Sequence, residues 1–146
     1  MNTFQQVDIL LAEDTATDAE MTMRALRKRG LANNLIWVKD GSEAIDFLFH
    51  QGTFAGTASG KPKLVLLDVK MPKVDGIDVL RRIRADPDLH AVPVVMLTSS
   101  AEERDMVESY RLGANSYIVK PVDTFDFDKI ISDTGFYWML VNKVPA

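Results

Sequence analysis

Four apolar runs in this chain stop at residues that can do chemistry. The run over residues 7–12 stops at Glu13 and Asp14. The run that starts at Leu64 is broken by Asp68, the one over 92–98 ends in Thr98-Ser99-Ser100, and the one over 115–120 ends in Lys120-Pro121. Three carboxylates, a set of hydroxyls and one ammonium are therefore candidates for a common site. Carboxylates crowded into one cleft repel each other and resist full ionisation. A hard cation or the lysine relieves that repulsion. Mg²⁺ fits such a set, because it takes oxygen ligands in octahedral geometry and uses only one or two carboxylates beside water and phosphate. Asp68 and Asp14, with the backbone carbonyl of Lys70, are the expected protein ligands, and Glu13 is placed to act through a water.

The chemistry this set supports is phosphoryl transfer to a carboxylate. That reaction needs an in-line nucleophile and neutralisation of the phosphoryl oxygens. An aspartate can serve as nucleophile and form an acyl phosphate, and Asp68 is expected in that role. Mg²⁺, Lys120 and the Thr98 hydroxyl would each take one phosphoryl oxygen, and the N–H groups after Asp68 would add donors. Taken singly, each residue has an ordinary explanation: Glu13 and Asp14 could favour a helix N-terminus, Asp68 could end a strand in solvent, Thr98 could cap a helix, and Lys120 could be a surface lysine. Their joint appearance at strand ends is what singles them out.

Positioning them requires a particular fold. Short apolar runs over 7–12, 34–38, 64–69, 92–98 and 115–120 alternate with helical periodicity over 18–29, 42–50, 76–85, 101–112 and 124–142. Ser42 is the expected cap of the second helix, and Gly30 and Gly113 are the expected stops of the first and fourth. Strands that are apolar on both faces imply a parallel sheet covered on both sides. The expected fold is a doubly wound (βα)₅ α/β sandwich with strand order 2-1-3-4-5, in which ligands sit at the carboxyl ends of the strands beside the topological switch point. The loop over 51–63 is long for a compact domain.

Composition narrows the rest. One domain is expected over 1–146, with its core at about 7–142 and no output domain. There is no cysteine, so disulfides and thiolate metal sites are excluded. The net charge of −4 disfavours nucleic acid, and the Arg24, Arg27, Lys28, Arg29 cluster reads as the solvated end of a helix. No signal peptide or membrane span is visible, so the expected location is cytoplasmic.

The stretches ILLAEDTATDAE, LVLLDVKMPKVDGIDVLRRIR, VPVVMLTSS and LGANSYIVKP, in that order, closely resemble the CheY-like receiver domain of two-component response regulators. The resemblance implies that Asp68 accepts a phosphoryl group from a sensor histidine kinase. Glu13 and Asp14 would be the acidic pair, Thr98 the switch hydroxyl and Lys120 the phosphate-contacting lysine. It also implies a cis Lys120–Pro121 peptide, and a switch role for Tyr117 in reshaping the surface of the fourth helix, fifth strand and fifth helix. The chain would catalyse only its own phosphorylation and dephosphorylation. The loop after HQGTF and the ending GFYWMLVNKVP are similar to standalone receivers paired with phytochromes, which implies a light-sensing kinase as partner. Phe136, Tyr137 and Trp138 are consecutive, so one helical stripe cannot bury all three. With Tyr117, and with Phe125 and Phe127 nearby, they are the expected homodimer surface.

Other readings are separable. A flavodoxin-like FMN carrier needs a Gly/Ser/Thr phosphate cradle after the first strand, where Glu13 and Asp14 would repel the phosphate. An aspartyl phosphatase commonly has a second acid near its nucleophile, but Lys70 stands two residues after Asp68. A phosphorelay shuttle to a histidine phosphotransfer protein, or a binding module that works without phosphate, are the remaining alternatives.

Overall fold

The computed structural model describes residues 6–56 and 60–143. Parts of the 51–63 loop and of the C-terminal aromatic motif lie outside the described residues. Five parallel strands, β1 (Ile9–Ala12), β2 (Leu35–Val38), β3 (Leu64–Leu67), β4 (Val94–Thr98) and β5 (Ser116–Val119), form one sheet in the order β2-β1-β3-β4-β5. The helices between and after them are α1 (Ala16–Lys28), α2 (Gly41–Leu48), α3 (Gly76–Ala85), α4 (Glu103–Arg111) and α5 (Thr124–Phe136). This is the expected doubly wound sandwich.

Period-two alternation divides the strands between two cores. Ile9, Leu11, Leu64, Leu66, Val95 and Leu97 pack with Leu26 of α1 and with Phe127 and Ile131 of α5. Leu10, Val65, Leu67 and Met96 pack on the other face with Phe47 of α2 and with Val79, Leu80 and Ile83 of α3. Leu26, Leu80 and Ile83 are fully buried, and each such side chain contributes about 1.5–3 kcal/mol. The α1–α5 contact is close: a Cβ on Gly135 would lie 2.5 Å from Leu26 Cδ2.

The ends of the elements depart from the sequence expectation in instructive ways. Asp40 caps α2, not Ser42; its side chain accepts from Glu43 N at 2.8 Å. The helix therefore starts one residue earlier, at Gly41, which lies so close to the Val74 carbonyl that a Cβ there would overlap it. Gly30 and Gly113 do end α1 and α4, with φ of +70° and +102°, values that only glycine adopts cheaply. The last helix does not run on to 142 in one geometry. After Phe136 the backbone widens into a π-turn over Tyr137–Val141, closed by Asn142 N to Tyr137 O at 2.8 Å. The altered pitch leaves Trp138 and Met139 against the α1-side core and Tyr137, Leu140 and Val141 in solvent.

Arg84 ties together the loops opposite the strand ends that carry the carboxylates. Its guanidinium donates to the carbonyls of Gly113, His90 and Val92 and to Asn115 Oδ1, at 2.7–3.1 Å. Asn115 Oδ1 in turn accepts from Val94 N at 2.7 Å, so α3 is fastened to the start of β4 and β5.

Candidate functional site

Sheet register brings the chemistry together. Ala12 pairs with Leu67, so Glu13 and Asp68 each stand one residue beyond adjacent strands, and Asp68 N donates to Ala12 O at 3.1 Å. Thr98 pairs with Val119, and Lys120 N donates to Thr98 O at 2.7 Å. The order of the strands reverses between β1 and β3, and the cleft opens there.

Glu13 is 1% exposed and Asp68 6%, while Asp14 lies at the surface. One carboxylate oxygen from each of the three falls within 4.8 Å of the other two. An oxygen-only cluster with one exposed member can hold a hard divalent cation and still admit water or phosphate. Lys70, expected to lend its carbonyl, is an exposed residue whose ammonium pairs with Glu102 at 3.3 Å and Asp105 at 3.7 Å.

Lys120 reaches into the cluster from β5. Its side chain is 6% exposed, and Nζ lies 2.6 Å from Glu13 Oε1, 3.0 Å from Asp18 Oδ2 and 3.4 Å from Asp68 Oδ2. Burial pushes its pKa down, but bonds and charge from Glu13, Asp68 and Asp18 outweigh that and hold it above the ordinary lysine value. Glu13 is held further by Thr15 N, which donates to Oε2 at 3.2 Å, and the Trp37 indole donates to its carbonyl at 2.8 Å.

The expected cis Lys120–Pro121 peptide is corrected: the described residues contain no cis bond. Trans is the lower-energy isomer by about 0.5–1 kcal/mol for X-Pro, and in that form the lysine already reaches all three carboxylates. Thr98 is fully buried, and its Oγ1 accepts from Ser100 N at 3.1 Å, leaving the O–H to donate. Tyr117 packs its ring on the α2/α3-side core and donates its hydroxyl to Ser100 O at 2.9 Å. Ser100 Oγ donates to Asp105 at 2.7 Å. Of the expected dimer surface, Tyr117 is thus engaged within its own chain, Trp138 is partly buried and Phe127 is core. Phe136, Tyr137 and Phe125 are exposed.

Sequence reading missed Asp18 and Asp105. Asp18 follows Asp14 by four residues, but Asp14 precedes the Thr15 cap and lies outside α1, so helical spacing carried no signal that joined the two.

Glu13 also sets a pH dependence. Burial, with the charge of Asp68, pushes its pKa from 4.5 to about 7 despite the Lys120 bond. Between those values the folded chain keeps a proton that the unfolded chain releases, so stability falls as pH rises through this window. The gap sets an upper limit of about 3 kcal/mol. Urea midpoints in EDTA are expected to drop from pH 5 to pH 8, and Glu13→Gln is expected to flatten the profile. A midpoint that climbs over that range would refute the assignment.

This geometry agrees with a match over residues 9–132 to the response regulator receiver domain. The chain belongs to that family. Receivers are signalling proteins, and among the described residues no helix is long and apolar enough to cross a membrane. Response regulator Rcp1 of Synechocystis sp. is 37% identical over 138 residues, covering 94% of this chain and 92% of Rcp1. The crystal structure of its Mn²⁺-bound form superposes with a TM-score of 0.88, covering 97% of this chain and 100% of that one. The phosphorylated cyanobacterial phytochrome response regulator RcpA is 34% identical with a TM-score of 0.88, at 97% and 100% coverage. The bacteriophytochrome response regulator AtBRR is 47% identical with a TM-score of 0.74, at 95% and 99% coverage.

Proposed function

We propose that this receiver is a Mg²⁺-dependent phosphorylation switch, in which Asp68 takes a phosphoryl group from the phosphohistidine of a sensor histidine kinase. The convergence of Glu13, Asp14 and Asp68 oxygens beside the Lys120 ammonium carries this reading. An Asp68 carboxylate oxygen forms the new bond to phosphorus. The P–N bond of the donor breaks, and the imidazole leaves with the electron pair and takes up a proton. Lys120 turns from Asp68 Oδ2 to a phosphoryl oxygen, and the Thr98 O–H donates to another. Glu13, Asp14, Asp68 and the Lys70 carbonyl would hold the Mg²⁺ ion, which would supply positive charge against the phosphoryl oxygens.

The readout runs through Ser100. Drawing the Thr98 hydroxyl toward the phosphoryl group pulls on the Thr98–Ser100 turn and weakens the Tyr117–Ser100 bond. Tyr117 then repacks, which is a population shift between two arrangements of the α4–β5–α5 face. That face exposes Val107, Tyr110, Val119, Val122 and Phe125, the apolar surface on which a second copy or a downstream protein docks. Similarity to RcpA and AtBRR over nearly the whole chain supports a phytochrome kinase as the donor.

The test is intact mass after incubation with acetyl phosphate, with and without Mg²⁺, alongside the beryllofluoride response. One added phosphoryl group that requires Mg²⁺ is the expected result. No adduct together with no beryllofluoride response would leave a binding module that works without phosphate.

A further inference from the structure

Lys120 has three N–H donors, and three carboxylates surround it. Two of them, Glu13 and Asp68, belong to the oxygen cluster suited to a cation; Asp18 does not. The position of Asp18 in α1 is informative. It is the third residue of the helix after the cap Thr15, where a carboxylate commonly reaches back to the cap N–H. Here the Thr15 N–H is taken by Glu13 Oε2 at 3.2 Å, and the Thr15 side chain makes no capping bond. Asp18 instead spans from α1 to the residue after β5 and meets Nζ at 3.0 Å. It is about one-third exposed, and Lys120 is almost wholly buried.

We propose that Asp18 is the positioning residue for Lys120, holding the ammonium over Asp68 while Glu13 and Asp68 turn to the cation and the phosphoryl group. The inference rests on the reading of Asp68 as phosphoryl acceptor. A lysine side chain is a long flexible stem with a point charge at its tip. Once Glu13 and Asp68 are engaged elsewhere, Asp18 is the remaining carboxylate that fixes where that charge stands. Groups that react must be held within fractions of an ångström, and the entropy of holding them must be lost before the reaction rather than during it.

The experiment compares wild type, Asp18→Ala, Asp18→Asn, Lys120→Met and the Asp18→Ala/Lys120→Met double variant. The readouts are Mg²⁺ affinity by tryptophan fluorescence, beryllofluoride affinity in saturating Mg²⁺, and the rate of mass gain from acetyl phosphate. Asp18→Ala is expected to weaken beryllofluoride binding and slow uptake about tenfold, with Mg²⁺ affinity within about twofold of wild type. Asp18→Asn, which keeps an acceptor for the ammonium, is expected to recover most of the loss. In the Lys120→Met background Asp18→Ala is expected to add nothing, because its effect passes through the lysine. Uptake by Asp18→Ala at the wild-type rate, or an equal further loss without Lys120, would overturn the proposal. A wild-type chain that gains no phosphoryl group and shows no beryllofluoride response would overturn the Asp68 reading and this one with it, an outcome visible in the control alone.

Discussion

Asp68→Asn is expected to gain no phosphoryl mass from acetyl phosphate and to unfold at a higher temperature than wild type in metal-free buffer. The loss of uptake follows from chemistry, since an amide has no carboxylate oxygen to form the acyl phosphate. The gain in stability follows from electrostatics. Asp68 is nearly buried and sits in a cluster of carboxylates, and its charge helps push Glu13 up to about 7. Removing that charge lets Glu13 ionise more readily beside Lys120, which keeps partners at 2.6 Å and 3.0 Å. Buried ionic groups set up for function are commonly a cost to the folded state, and relief of about 1 kcal/mol is expected. On the proposed reading the same substitution would also remove a cation ligand, so Mg²⁺ is expected to bind more weakly and to raise the melting temperature less than it does in wild type. Calorimetry at pH 8 in EDTA and in Mg²⁺ reads both effects. A variant less stable than wild type in EDTA would mean that Asp68 is a net structural partner of Lys120 and not a strained member of the cluster.

The residues at the strand ends were legible because a parallel sheet makes position a matter of register. When an apolar run stops at a carboxylate, that carboxylate stands at the carboxyl edge, and β1 and β3 must bring Glu13 and Asp68 side by side. Asp18 and Asp105 were harder to read. Both lie on helices, and where a helical side chain ends up depends on the direction of the helix axis across the sheet, which periodicity does not encode. Loop contacts were illegible for a related reason. Asp40 rather than Ser42 caps α2, and Val74, from a distant loop, packs so closely on Gly41 that only glycine fits there. The C-terminal aromatics show the limit of a single helical period: the π-turn after Phe136 rotates Trp138 toward the core, so three consecutive aromatics do not make one exposed patch.

The second large effect is expected from a single methyl group. Gly76 opens α3 directly beneath the Asp68 main chain. A Cβ there would overlap the Asp68 carbonyl oxygen and approach Val69 Cα to 3.1 Å, and Gly76 N already donates to Val69 O at 2.8 Å. These neighbours are backbone, so no side-chain rotation can relieve the clash. Either α3 backs away from the sheet or the β3–α3 loop moves and carries Asp68 with it. Asp75 caps this helix through Asp78 N at 2.9 Å, and Val79, Leu80 and Ile83 anchor it in the core, which leaves the loop as the part that yields. Gly76→Ala is expected to cost about 3 kcal/mol, the upper end of ordinary overpacking. A shift of about 1 Å in the acceptor can slow transfer about 100-fold, so uptake should fall by that order even at temperatures where the variant is fully folded. Gly56→Ala is the matched control, because a Cβ there meets nothing within 4 Å; its urea midpoint should stay at the wild-type value. Urea titration and acetyl phosphate kinetics on both variants separate the two effects. A Gly76→Ala chain that is destabilised yet phosphorylated at the wild-type rate would show that α3 and not Asp68 had moved, and that the acceptor is held by β3 alone.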